Sequence, residues 1–171
     1  ALTRQATRIG IAFVLMFVLA QIPPTQYRVW TPWLYGLGLL LLFIVLAIGV
    51  IGKGAQRWLN LWFFQFQPSE LMKLVVPMMI AWFLHDKQLP PSFTTLSILG
   101  AIILLPVLLI AKQPDLGTAV LVAATGFGML FLAGISWALL GTFGVVAAAS
   151  GPVIWHFMHN YQRLRVLTFL N

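Results

Sequence analysis

From residue 116 to residue 162 the chain contains no Asp, Glu, Lys or Arg. A stretch that long without charge cannot lie on the surface of a water-soluble domain, where polar side chains must recur along every element. Crossing the hydrocarbon of a bilayer takes about 20 apolar residues, so this stretch has room for two crossings, with "AGISW" at 133–137 as the turn between them. Residues 9–27, 29–52 and 88–111 are likewise uncharged. With 61% hydrophobic residues, 8% charged residues and a mean hydropathy of +0.97 over 171 positions, an integral membrane protein is the expected class.

Only helices or closed barrels can cross lipid, because every backbone polar group must be paired there. The apolar runs are continuous, without strict alternation, so the expected fold is all-α: a polytopic bundle with six transmembrane helices in this chain. The spans are expected at about 9–22, 33–51, 70–84, 95–111, 116–133 and 137–158. Residues 23–32 read as a tight turn with interfacial aromatics, 85–93 as a polar turn and 112–115 as a short corner. Residues 53–69 carry Trp58, Trp62, Phe63, Phe64 and Phe66, which suits a segment lying along the membrane interface. The sequence opens on "ALTRQATRIG" and ends on "VLTFLN", and it is expected to be a piece of a longer protein, a partial transmembrane domain over 1–171.

The absence of cysteine excludes disulfides and thiolate metal sites. His156 and His159 share a helical face without a third ligand in view, so no metal site is expected. His85 and Asp86 read as a solvated turn. The net charge of +7 comes from ten Lys and Arg against Glu70, Asp86 and Asp115. On a membrane protein that balance points to membrane lipids or a phosphorylated lipid, and not to nucleic acid.

The remaining charges fall in a pattern. "QPSE" at 67–70 and "QPD" at 113–115 both set Gln-Pro ahead of an acid at the start of a span, and two crossings separate them, so both lie on one side. That side also receives Arg4, Arg8, Lys53, Arg57, Lys112, Arg163 and Arg165, while the other side has Arg28 and Lys87. Glu70 and Lys73 stand at i and i+3 and share a helix face. They are either an N-terminal carboxylate with a snorkelling lysine or a polar pair lining a cavity within the span. Pro77, four residues beyond Lys73, would open the helix there. Asp115 is a helix N-cap, an acid facing the same cavity, or both. Lys53, Arg57, Arg163 and Arg165 are interfacial anchors or contacts to a diphosphate.

"GKGAQRWL…FQPSE…K", "QPDLGT" and "FLAGISW" together closely resemble the SEDS family (shape, elongation, division and sporulation proteins), nearest its elongation branch, the RodA type. "AQIPP" and "YQRLRV" also fit. The resemblance implies a membrane protein of roughly ten transmembrane helices, of which this chain would hold the second to seventh, in the bacterial cytoplasmic (inner) membrane. It implies a peptidoglycan glycosyltransferase that polymerises lipid II during cell-wall elongation, with a class B penicillin-binding protein and the elongation machinery as partners. The family's catalytic aspartate would lie in a loop beyond Asn171, so the catalytic residue of this chain is unknown and the fragment alone is expected to be inactive. The resemblance carries over Glu70, Lys73 and Asp115 as cavity residues. Glycosyl transfer from a lipid diphosphate needs a base at the acceptor hydroxyl and positive charge at the leaving group, from side chains or from a divalent cation; the cofactor is otherwise unknown. The competing readings are a lipid-linked-sugar flippase or ion-coupled transporter, for which charged pairs and Pro-broken helices are equally expected, and a structural assembly subunit. The excess of basic residues would place the Glu70 side in the cytoplasm, whereas the resemblance implies that it faces out, which is the expectation.

Overall fold

The computed structural model describes residues 2–52, 55–61, 64–158, 160, 163–164 and 167–168. Among them are six helices: α1 (Leu2–Ala20), α2 (Pro24–Ile48), α3 (Pro68–Leu84), α4 (Phe93–Lys112), α5 (Leu116–Leu132) and α6 (Trp137–Phe157). By length and composition α2, α4 and α6 can cross a membrane, while the apolar stretch of α1 and the whole of α5 are shorter.

The start of α2 corrects one local expectation. Residues 24–32 are not a turn but the first turns of α2, which begins at Pro24 behind Pro23 at the N-cap. A proline at the first helical position forfeits no intrahelical bond and has its φ already set for a helix, so the prolines start the helix rather than block it. Within the segment expected to lie along the membrane interface, the described residues form a small antiparallel sheet: β1 (Val50–Gly52), β2 (Ala55–Leu61) and β3 (Phe64–Phe66), in that spatial order. Gln56 pairs with Ile51, and Leu59 and Leu61 pair with Phe66 and Phe64. Leucine, phenylalanine and tryptophan side chains pair well across strands, and the meander satisfies backbone groups that an extended single segment would leave open.

The core is a four-helix unit. Leu42 and Val45 of α2, Met72, Val76 and Ile80 of α3, Leu99 and Ile110 of α4 and Val122 of α5 have no accessible surface. α3 is its centre, packing on α2, α4 and α5. The described side chains of α1 are all exposed. α6 is attached mainly by rings, Phe143 on Phe127 and Trp137 on Phe131, with centroids 5.4 and 5.3 Å apart.

Close backbone approach ties α4 to its neighbours. A Cβ placed on Gly126 of α5 would come within 2.7 Å of the Ile103 side chain, so only glycine lets α5 seat this near α4. Pro106, inside α4, has no N–H for the carbonyl of Ile102 one turn back. The Tyr35 hydroxyl of α2 donates to that carbonyl at 2.8 Å, so a bond lost within one helix is replaced from another, as a buried polar group requires. α3 runs through Pro77 without a break, contrary to the opening expected there.

Candidate functional site

α3 and α5 begin at one end of the bundle, and α2, α4 and α6 begin at the other. At the second end the helix starts are ordinary: Ser92 and Ser136 accept from the backbone N–H groups of Thr95 and Leu139, at 3.3 Å each. The first end differs. Gln67 and Asp115 occupy the N-cap positions of α3 and α5, and neither side chain caps its own helix. Instead the Gln67 amide donates to the Asp115 carboxylate at 2.8 Å, and to the Ser69 hydroxyl at the same distance. Two helix starts thus give up a local cap to make a bond across the bundle. Local rules are most often broken where a site is built.

The same end holds a second glutamine. Gln113 is fully buried, and its amide donates to the Leu42 carbonyl of α2 at 3.2 Å. Its Oε1 has no hydrogen-bond partner among the described residues. Asp115 itself is only 6% exposed. The sequence had singled out the acids of the two Gln-Pro repeats, yet the glutamines make the interhelical bonds. The repeat was the signal that could have found them, since an amide at one helix start and an acid at the corresponding start on the same side of a membrane are placed to meet.

Glu70 and Lys73 are in contact, Nζ to Oε2 at 2.7 Å, with the lysine side chain 31% and the glutamate 54% exposed. The pair sits on the first turns of α3, where the positive end of the helix favours Glu70. Arg163 is engaged with α6: its Nε donates to the Trp155 carbonyl at 3.1 Å and its Nη2 to the His156 carbonyl at 2.9 Å, with the guanidinium over the Trp155 ring. It caps the last turn of that helix while keeping further N–H donors. Arg57 lies in β2, and its side chain, like Lys53 and Arg165, falls outside the described residues. No three His, Asp or Glu side chains gather among the described residues.

Beside this polar junction lies an apolar groove of about 620 Å³ between α2, α4, α5 and α6. Phe43, Leu105, Leu108, Pro114 and Phe157 line it, and Lys112 is the charged group on its wall. An oily groove with one cation on its wall suits a molecule that is hydrocarbon along most of its length and anionic at one end.

The family model FTSW_RODA_SPOVE, described as "Cell cycle protein", matches residues 1–171. Over 169 residues the chain is 48% identical to the peptidoglycan glycosyltransferase MrdB of Escherichia coli, covering 98% of this chain and 46% of that protein. It is 36% identical over 179 residues to a probable peptidoglycan glycosyltransferase FtsW of Geobacter sulfurreducens, covering 99% of this chain and 46% of the other. Among solved structures, a chain of a complex described as "Structural coordination of polymerization and crosslinking by a peptidoglycan synthase complex" superposes with a TM-score of 0.80 at 32% identity, covering 98% of this chain and 50% of that one. The rod shape determining protein RodA of Thermus thermophilus gives 0.73 at 32% identity, over 85% of this chain and 49% of its own. The chain spans about half the length of the curated relatives it matches.

Proposed function

Because this chain belongs to the FtsW, RodA and SpoVE family of cell cycle proteins, the SEDS family, we propose that the intact protein is a peptidoglycan glycosyltransferase that polymerises lipid II during elongation of the bacterial wall. The observation that carries the reading is the 48% identity to E. coli MrdB across 98% of this chain. The protein would work in the inner membrane beside a class B penicillin-binding protein, a reading supported by the likeness to a chain of a peptidoglycan synthase complex.

In this reading residues 1–171 bind and orient, and the deprotonation of the acceptor hydroxyl falls to a base elsewhere in the intact protein. The groove along Phe43, Leu105 and Phe157 would take the polyprenyl chain, and Lys112 would stand near the diphosphate. The Gln67–Asp115 bond fixes the starts of α3 and α5 relative to each other, so that the polar end of the bundle keeps its shape as substrate enters. Glu70 and Lys73 add a hydrated pair of opposite charges on the same end of α3.

The test is the purified intact protein given labelled lipid II. Glycan polymer is expected. Asp115→Asn, which keeps the shape and removes the charge, is expected to lower polymerisation about tenfold to a hundredfold, since a displaced binding group costs that order. Residues 1–171 alone are expected to yield no polymer. Movement of lipid II across the bilayer without polymer would make the protein a flippase and overturn the reading.

A further inference from the structure

The end of the bundle opposite the Gln67–Asp115 junction carries a second constellation. Two Lys or Arg residues fall on that side by the order of the spans, Arg28 and Lys87, and they are far apart in sequence with α2 and α3 between them. The structure brings both to one cavity of about 350 Å³, lined by Arg28, Trp82, Phe83, His85, Asp86 and Lys87. Arg28, in the first turns of α2, donates through Nη1 to Nε2 of His85 at 2.6 Å. The Lys87 ammonium stands over the Phe83 ring, 5.3 Å from its centroid. Asp86 lines the same cavity; its carboxylate is 91% exposed and stands 3.8 Å from the His85 ring, beyond hydrogen-bond reach.

Each side chain is thus held in place while most of its donors stay open. Arg28 has used one of five N–H groups on His85, and Lys87 rests on a ring face that accepts no hydrogen bond in the ordinary sense. Trp82, 39% exposed, forms the apolar wall of the same cavity and is the ring type that settles at headgroup level. A basic pocket at the ends of apolar helices, walled by aromatics, suits a phosphate that is attached to something oily. Its net charge, two cations against the Asp86 carboxylate, matches a phosphodiester monoanion.

We propose that Arg28, Lys87 and the Trp82–Phe83 wall form a binding site for the phosphate of an anionic phospholipid such as phosphatidylglycerol, in the leaflet opposite the candidate substrate groove. The lipid bridges the start of α2 and the end of α3, and so holds the α1–α2 corner against the α3–α4 corner. The proposal does not depend on the glycosyltransferase reading, because it concerns the other face of the bundle and a different lipid.

The test uses the intact protein with a single cysteine, Gln88→Cys, carrying a bimane fluorophore, any cysteine outside residues 1–171 being replaced. It is reconstituted in phosphatidylcholine bilayers containing brominated phosphatidylglycerol or brominated phosphatidylcholine, and quenching at equal mole fractions gives the relative association constant at this corner. Wild type is expected to prefer phosphatidylglycerol by about fivefold to thirtyfold, the range for one to two cations near a headgroup surface. R28Q/K87Q is expected to bring the ratio to about one. The charge-matched R4Q/R8Q, at the other end of α1, leaves it unchanged. Circular dichroism and gel filtration of each variant establish that it is folded. No preference in wild type, the same preference in R28Q/K87Q, or an equal loss in R4Q/R8Q overturns the proposal. So does loss of the preference to millimolar inorganic phosphate at matched ionic strength, which would make this a site for the free ion.

Discussion

Glu70 and Lys73 pose the question of what two charges do at the head of an apolar helix. A dry pair would be costly to break from one side, about 3–5 kcal/mol. With the side chains 54% and 31% exposed, the pair is wet enough for the lower regime, in which an i, i+3 contact contributes about 0.2–1 kcal/mol. A double-mutant cycle with Glu70→Gln and Lys73→Met, followed by thermal unfolding in detergent, is expected to return a coupling energy in that range. Strict additivity would mean that the two do not interact, and a coupling of several kcal/mol would mean that the pair is dry in the intact protein. Tyr35 is the opposite case. Its hydroxyl serves a carbonyl that Pro106 has left without a donor, and the bond is buried. Tyr35→Phe removes one oxygen and no packing, so the expected loss is about 1–3 kcal/mol, the cost of stranding a buried acceptor. The same substitution combined with Pro106→Ala, which restores the backbone donor, is expected to cost less than Tyr35→Phe alone; no such rescue would show that the hydroxyl does not serve that carbonyl.

At the scale of the element, what distinguishes these helices is how close they approach. Lipid tails are as apolar as leucine, so membrane helices associate through close packing and specific bonds and not through escape from the surrounding solvent. Gly126 and Gly128 lie two positions apart on α5 and have opposite surroundings: a Cβ on the first meets the Ile103 side chain within 2.9 Å at three atoms, and a Cβ on the second meets nothing within 4 Å. Gly126→Leu is expected to destabilise the bundle by about 1–3 kcal/mol or more through overpacking, seen as a lower melting temperature on fluorescence-detected size exclusion. Gly128→Leu is expected to leave the melting temperature within a degree or two of wild type. Equal effects would mean that the α4–α5 contact does not pass through Ile103.

The whole molecule has two chemically different ends, and each is closed by a bond between distant residues: Gln67 to Asp115 at one, Arg28 to His85 at the other. Which end faces the cytoplasm is a property of the whole bundle. The balance of basic residues favours the Gln67 end inside, whereas polymerisation of lipid-linked sugars outside the membrane requires it to face out. The chain has no cysteine, so Ala55→Cys in β2 and Gln88→Cys after α3 can each be probed without background from these residues. An impermeant thiol reagent added to intact spheroplasts making the full protein is expected to label Ala55→Cys and spare Gln88→Cys. The reverse pattern would turn the bundle over and remove the outward-facing groove from the proposed function.

That the chain folds as a bundle of six helices was legible in the sequence because the bilayer leaves few choices. A long uncharged run must satisfy its own backbone, and the α-helix does so with bonds to residues three or four positions away. The i, i+3 contact of Glu70 with Lys73 is local in the same sense, and the distance of 2.7 Å follows from spacing on one helix. That α2 starts at Pro24 was misjudged only because prolines read equally well as a turn or as a first helical position. The choice of which faces meet is not local. In lipid an inward leucine and an outward one are equally content, so the apolar pattern does not mark the core as it does in water. The partners of Tyr35, Gln113 and Arg28 come from other helices, 57 to 71 positions along the chain. The Gln67–Asp115 bond forms only because α3 and α5 start side by side. Sequence decided that this chain would be a bundle with acids and amides at one end; the tertiary structure decided that the amides, rather than the acids alone, would hold that end together.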